Sequence, residues 1–62
     1  MSWEDRPRPC RGALVHVTAD NYYCGVGLVL EELDDIEARR VMVQGAPALI
    51  WLWELEEVTD EV

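Results

Sequence analysis

Cys10, His16 and Cys24 carry the most versatile chemistry in this chain, at a spacing of Cys-x5-His-x7-Cys. With Asp20 as a fourth donor they could hold a zinc ion. Structural zinc sites bring their ligands in closely spaced pairs, however, and this sequence has no such pair. His16 is expected instead to be an outward strand residue, and no metal or other cofactor is expected. A Cys and His nucleophile pair would need an orienting third group and an oxyanion pocket, and the order of residues suggests neither. The one serine, Ser2, lies close to the N-terminus. The expected class is therefore non-enzymatic. Two cysteines cannot define a disulfide framework, and without a secretory leader pattern they are expected to be reduced. A bridge from Cys10 to Cys24 is the alternative for an oxidising setting.

Carboxylates are the larger chemical population. Thirteen acidic residues stand against five arginines and no lysine, a net charge of −8 on 62 residues. The clusters are Glu31, Glu32, Asp34 and Asp35, then Glu54, Glu56 and Glu57 with Asp60 and Glu61. They lack the alternating Asp or Asn positions, the glycine and the twelfth-place Glu of an EF-hand loop. A solvated, solubilising surface is the first reading, and a patterned surface that mimics DNA is the second. Charge of this sign argues against direct nucleic-acid binding, because phosphate neutralisation supplies most of that affinity. It favours a protein partner with a basic surface. Residues 1–11 carry three arginines and two acids, whereas residues 12–62 carry two arginines and eleven acids, so the head and the body attract.

The elements that must position these groups are short. A chain of this length supports one domain that buries only about 60% of its unfolded surface, with net stability of roughly 3 to 9 kcal/mol. Half the residues are hydrophobic, enough for a packed core. The longest apolar run, residues 46–53, contains Pro47 and is too short to cross a bilayer. The N-terminus lacks an apolar leader segment, and the chain is expected not to be secreted. In residues 1–11, Arg6-Pro7-Arg8-Pro9 favours an extended arm, since each proline fixes its own φ and biases the residue before it.

Residues 13–19 alternate as a first strand, with Val15 and Val17 inward and Leu14 and His16 outward. Residues 19–21 supply a turn. A second strand over residues 26–33 begins at Gly25-Val-Gly27, two glycines that suit a sharply bent strand. It lacks alternation, so Val29 and the pair Leu28 and Leu30 compete for the core face. Residues 34–39 read as a hairpin loop rather than a helical turn capped by Asp34. The third strand, residues 40–44, turns Val41 and Val43 inward and Met42 outward. Gly45-Ala-Pro47 reads as the next turn. The fourth strand, residues 48–53, places Ile50 and Leu52 inside and Trp51 and Trp53 outside, because two tryptophans crowd so small a core. A turn anchored by Leu55 and a short closing strand through Val58 follow, then an acidic tail.

Five short strands at these spacings resemble an SH3-like small β-barrel. The residues that carry the likeness are Ala13-Leu-Val-His-Val17, Gly25-Val-Gly-Leu-Val-Leu30, Val41-Met-Val43 and Trp51-Leu-Trp-Glu-Leu-Glu-Glu-Val58. The pattern is similar to the short SH3-like proteins encoded by tailed bacteriophages, including those of cyanobacteria. It implies an all-β fold: a five-stranded SH3-like barrel over residues 12–58, preceded by an extended Arg/Pro arm, residues 1–11, and followed by an acidic tail, residues 59–62. Its glycines and core positions speak for fold more than for activity. The acidity and the Arg-Pro arm depart from a minimal barrel.

In such a barrel the loop after the first strand and the start of the last hairpin border one groove, so the resemblance implies that Tyr22, Tyr23 and Trp51 line one patch. Aromatic rings rimmed by Glu56 and Glu57 suit a segment containing Pro and Arg. The chain supplies one itself, with Trp3, Arg6 and Arg8 in the arm. The expected binding set is thus Tyr22, Tyr23, Trp51, Trp53, Leu28, Leu30, Glu56 and Glu57 on the body and Trp3, Arg6 and Arg8 on the arm. The partner is expected to be a basic or Pro/Arg-containing protein, or a neighbouring copy engaged through residues 1–11; the alternative is an arm folded on its own barrel. The resemblance implies an accessory or virion protein of a phage, in the virion or the host cytoplasm. An acidic inhibitor of a host nucleic-acid enzyme is the second expectation, and a small subunit of a cellular complex, including a photosynthetic one, the third.

Overall fold

A computed structural model describes residues 8–58 of the chain. Trp3, Arg6, the rest of the arm before Arg8 and the acidic tail from residue 59 lie outside the described residues. Five strands form: β1 (Leu14–Val17), β2 (Gly25–Leu33), β3 (Ala38–Val43), β4 (Ala46–Trp51) and β5 (Leu55–Glu57). Short 3-10 turns at Asp34–Ile36 and Leu52–Glu54 join β2 to β3 and β4 to β5. All pairings are antiparallel, in one sheet of order β4-β3-β2-β1-β5.

The expected closed barrel is corrected to an open sheet with β4 and β5 as its edges. The reason is the connection between them. Four intervals of a flat sheet would hold the edges about 19 Å apart, whereas the step from Trp51 to Leu55 through a 3-10 turn rises only about 8 Å. The sheet must therefore curl. The turn, and not a ladder, bridges the gap: the Leu52 amide donates to the Glu37 carbonyl at 2.9 Å and the Thr18 amide to that of Glu54 at 3.0 Å.

Two features of β2 let the sheet bend. A Cβ on Gly27 would stand 2.5 Å from the Val41 Cγ1 and 2.8 Å from the Met42 carbonyl oxygen, so only glycine fits there. Further on, Val29 pairs with Val41 but Glu31 pairs with Arg40, which leaves Leu30 as an extra, bulged residue. The concave side holds the core, Val15, Val17, Val29, Val41, Val43, Ala48, Ile50 and Leu55. Each such valine, leucine or isoleucine contributes about 1.5 to 3 kcal/mol on burial. The contest within β2 is settled for Val29, which is 1% exposed.

Other expectations shift by a few residues. β3 starts at Ala38, which converts part of the expected loop into strand, and the remainder holds the 3-10 turn without a side-chain cap from Asp34. The β3 to β4 turn is Gln44-Gly45 and not Gly45-Ala-Pro47. Both residues have positive φ, 55° and 81°, and Val43 pairs with Ala46 across them, the form of a tight two-residue hairpin. The Gln44 Nε2 donates to the carbonyls of Tyr22 and Cys24, both at 3.1 Å, which holds this uncommon turn residue in place. Pro47 then falls within β4, an edge strand where a missing N–H is tolerated. Leu55 anchors β5 itself, being 3% exposed, while the turn precedes it.

Candidate interaction surface

Strand register decides what the convex side presents. Leu14 stands opposite Leu28, Leu28 opposite Met42, and Met42 opposite Pro47. The Val58 amide donates to the Leu14 carbonyl at 2.9 Å, which carries the alignment one residue past β5. An apolar row therefore runs across β1, β2, β3 and β4, extended at one end by Val58 just beyond β5. Its members are open to solvent: Leu14 is 52% exposed, Leu28 40%, Met42 39% and Val58 43%, and Pro47 is exposed too. Val26 and Leu49, also exposed, widen the row on either side.

Charge on this face is sparse. Arg40 Nε donates to the Glu31 Oε1 at 3.2 Å, and Glu56 stands opposite His16. Other carboxylates sit elsewhere: Asp34, Asp35 and Glu37 in the β2 to β3 connection, Glu54 bonded at 3.0 Å by the Asn21 side-chain amide, and Glu57 opposite Val15.

The aromatic residues form two pairs at different stations. Tyr22 meets Tyr23 edge to face at 5.0 Å, and the Tyr22 carbonyl is tied to the β3 to β4 turn through Gln44. Trp51 stacks on Trp53 at 5.4 Å with an interplanar angle of 5°, and Trp51 pairs with Ala38 at the far end of β4 from that turn. Both tryptophans are outward and partly exposed. Leu28 and Leu30 do not act as a pair: the bulge leaves Leu30 half-buried while Leu28 stays in the exposed row. Glu56 and Glu57 are exposed on β5.

The described part of the arm lies on its own sheet. Pro9 is buried, and its carbonyl accepts from the Arg39 Nε at 2.7 Å. Arg39 is 1% exposed; its Nη1 donates to the Ala38 carbonyl at 2.7 Å and its Nη2 lies 2.9 Å from Asp34 Oδ1. Each of its three guanidinium nitrogens thus has an oxygen partner within 2.9 Å, as burial of a charge requires. Arg8 also approaches Asp34, at 3.8 Å, the Arg11 amide donates to Glu32 at 3.1 Å, and the Gly12 amide donates to the Val29 carbonyl at 2.9 Å. Arg39 is not among the expected site residues, because the expected third strand starts at Arg40 whereas β3 starts at Ala38. The signal that finds it is the alternation Val43, Val41, Arg39, which points its side chain inward.

Cys10 and Cys24 are both free and exposed. Among the described residues, no group of three His, Cys, Asp or Glu side chains gathers as a metal site, and no pocket opens. Comparison with protein-family models, with curated proteins and with solved structures finds no match.

Proposed function

We propose that this chain is a non-enzymatic interaction protein of SH3-like fold whose working surface is the convex face of its sheet. The observation that carries this reading is the exposed apolar row from Val58 through Leu14, Leu28 and Met42 to Pro47. Its exposed side chains and their neighbours Val26, Leu49 and Trp51 present on the order of 500 Å² of apolar surface, toward the upper end of the largest patch on a typical monomer. The whole chain exposes only 4359 Å². Leaving such a share in water has a cost that contact with a protein removes.

The strand order β4-β3-β2-β1-β5, with a 3-10 turn between β4 and β5, supports the SH3-like assignment. The resemblance to short SH3-like phage proteins supports an accessory role in a virion or its assembly. The convex face is favoured over the arm as the surface, because Pro9, Arg11 and Gly12 are already bonded to their own sheet.

Photo-crosslinking tests the reading. Benzoylphenylalanine placed at Leu28 or Met42, in particles or cells that contain the chain, should capture a defined protein, and the same group at exposed Asp20 should not. Equal capture at all three positions, or capture at none, would contradict it.

A further inference from the structure

We infer that Asp34 is the switch of a charge-locked strap: residues 8–12 lie on their own sheet while Asp34 is ionised, and come away as a unit when its charge is lost. The inference stands whether or not the convex face engages a partner.

It begins with a cation that cannot adapt. Arg39 is 1% exposed, and a guanidinium keeps its proton in any ordinary solution. Its Nε and Nη1 donate to the Pro9 and Ala38 carbonyls at 2.7 Å, and these dipoles leave the charge in place. Among the described residues one carboxylate neutralises it, Asp34, at 2.9 Å from Nη2. Arg8 approaches the same oxygen at 3.8 Å. The Asp34 side chain is 62% exposed and that of Arg39 only 2%. Solvent therefore acts directly on the partner that can change its charge, while the partner that cannot is buried.

Once Asp34 is neutral, a buried unpaired charge remains, and the structure must bring water to it. The sheet resists this. Arg39 stands in β3, paired with Glu32 of β2 on one side and Ile50 of β4 on the other. The strap yields more easily: beyond the Pro9 carbonyl on Arg39 itself, it is held by the Arg11 amide on Glu32 and the Gly12 amide on Val29. A segment with so few bonds opens at far less cost than the whole fold. The other charges around the switch are Asp35 and Glu37 on its own turn, Glu31 and Glu32 on β2, Arg40 on β3 and Arg8 on the strap. Glu31 pairs with Arg40 and Glu32 accepts from Arg11, and among the described residues none of these carboxylates is paired with Arg39 in place of Asp34. The strap is thus held in neutral solution and released as the pH falls and Asp34 takes up a proton. Release turns the residues before Ala13 from part of the fold into a free arm.

Amide hydrogen exchange of the full chain, followed residue by residue by NMR at neutral pH, is the experiment. Asp34→Asn should speed exchange at Gly12 at least about tenfold while leaving Val41 and Ile50 within about threefold of the parent, the pattern of a local opening. In an Arg39→Met background the same substitution should add little at Gly12, because a counter-charge is not needed where no buried cation remains. Acid should lower the protection of Gly12 in the parent and have less effect in Asp34→Asn. Exchange at Gly12 that stays within about threefold of the parent in Asp34→Asn overturns the inference. So does equal acceleration at Val41 and Ile50, which would make the opening global. An effect of Asp34→Asn that persists undiminished beside Arg39→Met also overturns it, by assigning that effect to Arg8 or to the turn.

Discussion

The two faces of the sheet are nearly equal in hydrophobic character and opposite in fate. On the concave side Val15, Val29, Val41 and Ile50 are sealed by the curl of the chain, while on the convex side Leu14, Leu28, Met42 and Val58 meet water. Hydrophobicity alone does not say which side is core. What distinguishes them is geometry: Gly27 clears room for Val41 and Val43 on one side, and among the described residues no further element lies over the other. A strand that reads as continuously apolar, as β2 does from Val26 to Leu30, is a strand apolar on both faces. In larger proteins helices cover the second face. Here it is left exposed to solvent.

Substitutions that remove apolar atoms from each face are the strongest way to break this comparison. Ile50→Ala opens a cavity among the concave residues and should cost about 2 to 5 kcal/mol, comparable with the whole stability of a small domain, as read from the urea midpoint. A midpoint within 0.5 M of the parent would mean that the core lies elsewhere. Gly27→Ala adds one methyl and should still cost about 1 to 3 kcal/mol, since the Cβ meets the Met42 carbonyl, which is backbone and cannot swing aside. Near-neutral behaviour there would show that the sheet is less tightly bent than described.

Arg39→Met keeps the bulk but removes the donors to Pro9 and Ala38, and should cost roughly 1 to 2 kcal/mol. Its distinguishing readout is local: amide exchange at Gly12 should accelerate more than at Val41, because Arg39 secures residues 8–12. Uniform acceleration would make Arg39 a general core residue and not the clasp of that segment. Smallest of all is Leu28→Ser, which should change the stability of the isolated chain by less than about 0.5 kcal/mol. The gap between Ile50→Ala and Leu28→Ser measures how different the two faces are.

Much of the concave face is legible in the sequence. Val15, Val17, Val41, Val43, Ile50 and Leu52 follow from period-two alternation, and the outward tryptophans follow from the limited volume of the core. The convex row is not legible, although Leu14 and Met42 are individually expected outside. Seeing it requires register, and register depends on turn type. Gln44-Gly45 has Gln at a position usually given to Asn, Asp or Gly, so composition alone points to Gly45-Ala-Pro47 as the turn and leaves Pro47 outside its strand. The bulge at Leu30 is equally hidden, because an uninterrupted Leu-Val-Leu run does not mark which residue is extra. For the site, the sequence points to Leu28 and to aromatic residues, and the SH3-like resemblance joins Tyr22 and Tyr23 to Trp51 in a single patch. The contacts of Gln44 and the length of β4 keep the two aromatic pairs at separate stations.

One substitution tests the central claim that the convex face is built for contact and not for folding. Leu28→Glu should leave the unfolding free energy of the dilute chain, from urea titration, within about 0.5 kcal/mol of the parent, as for an exposed site, while abolishing its crosslinks through Met42. Loss of several kcal/mol in the dilute chain would place Leu28 in the core. Crosslinking at parental levels would show that the convex face is not the surface this protein uses.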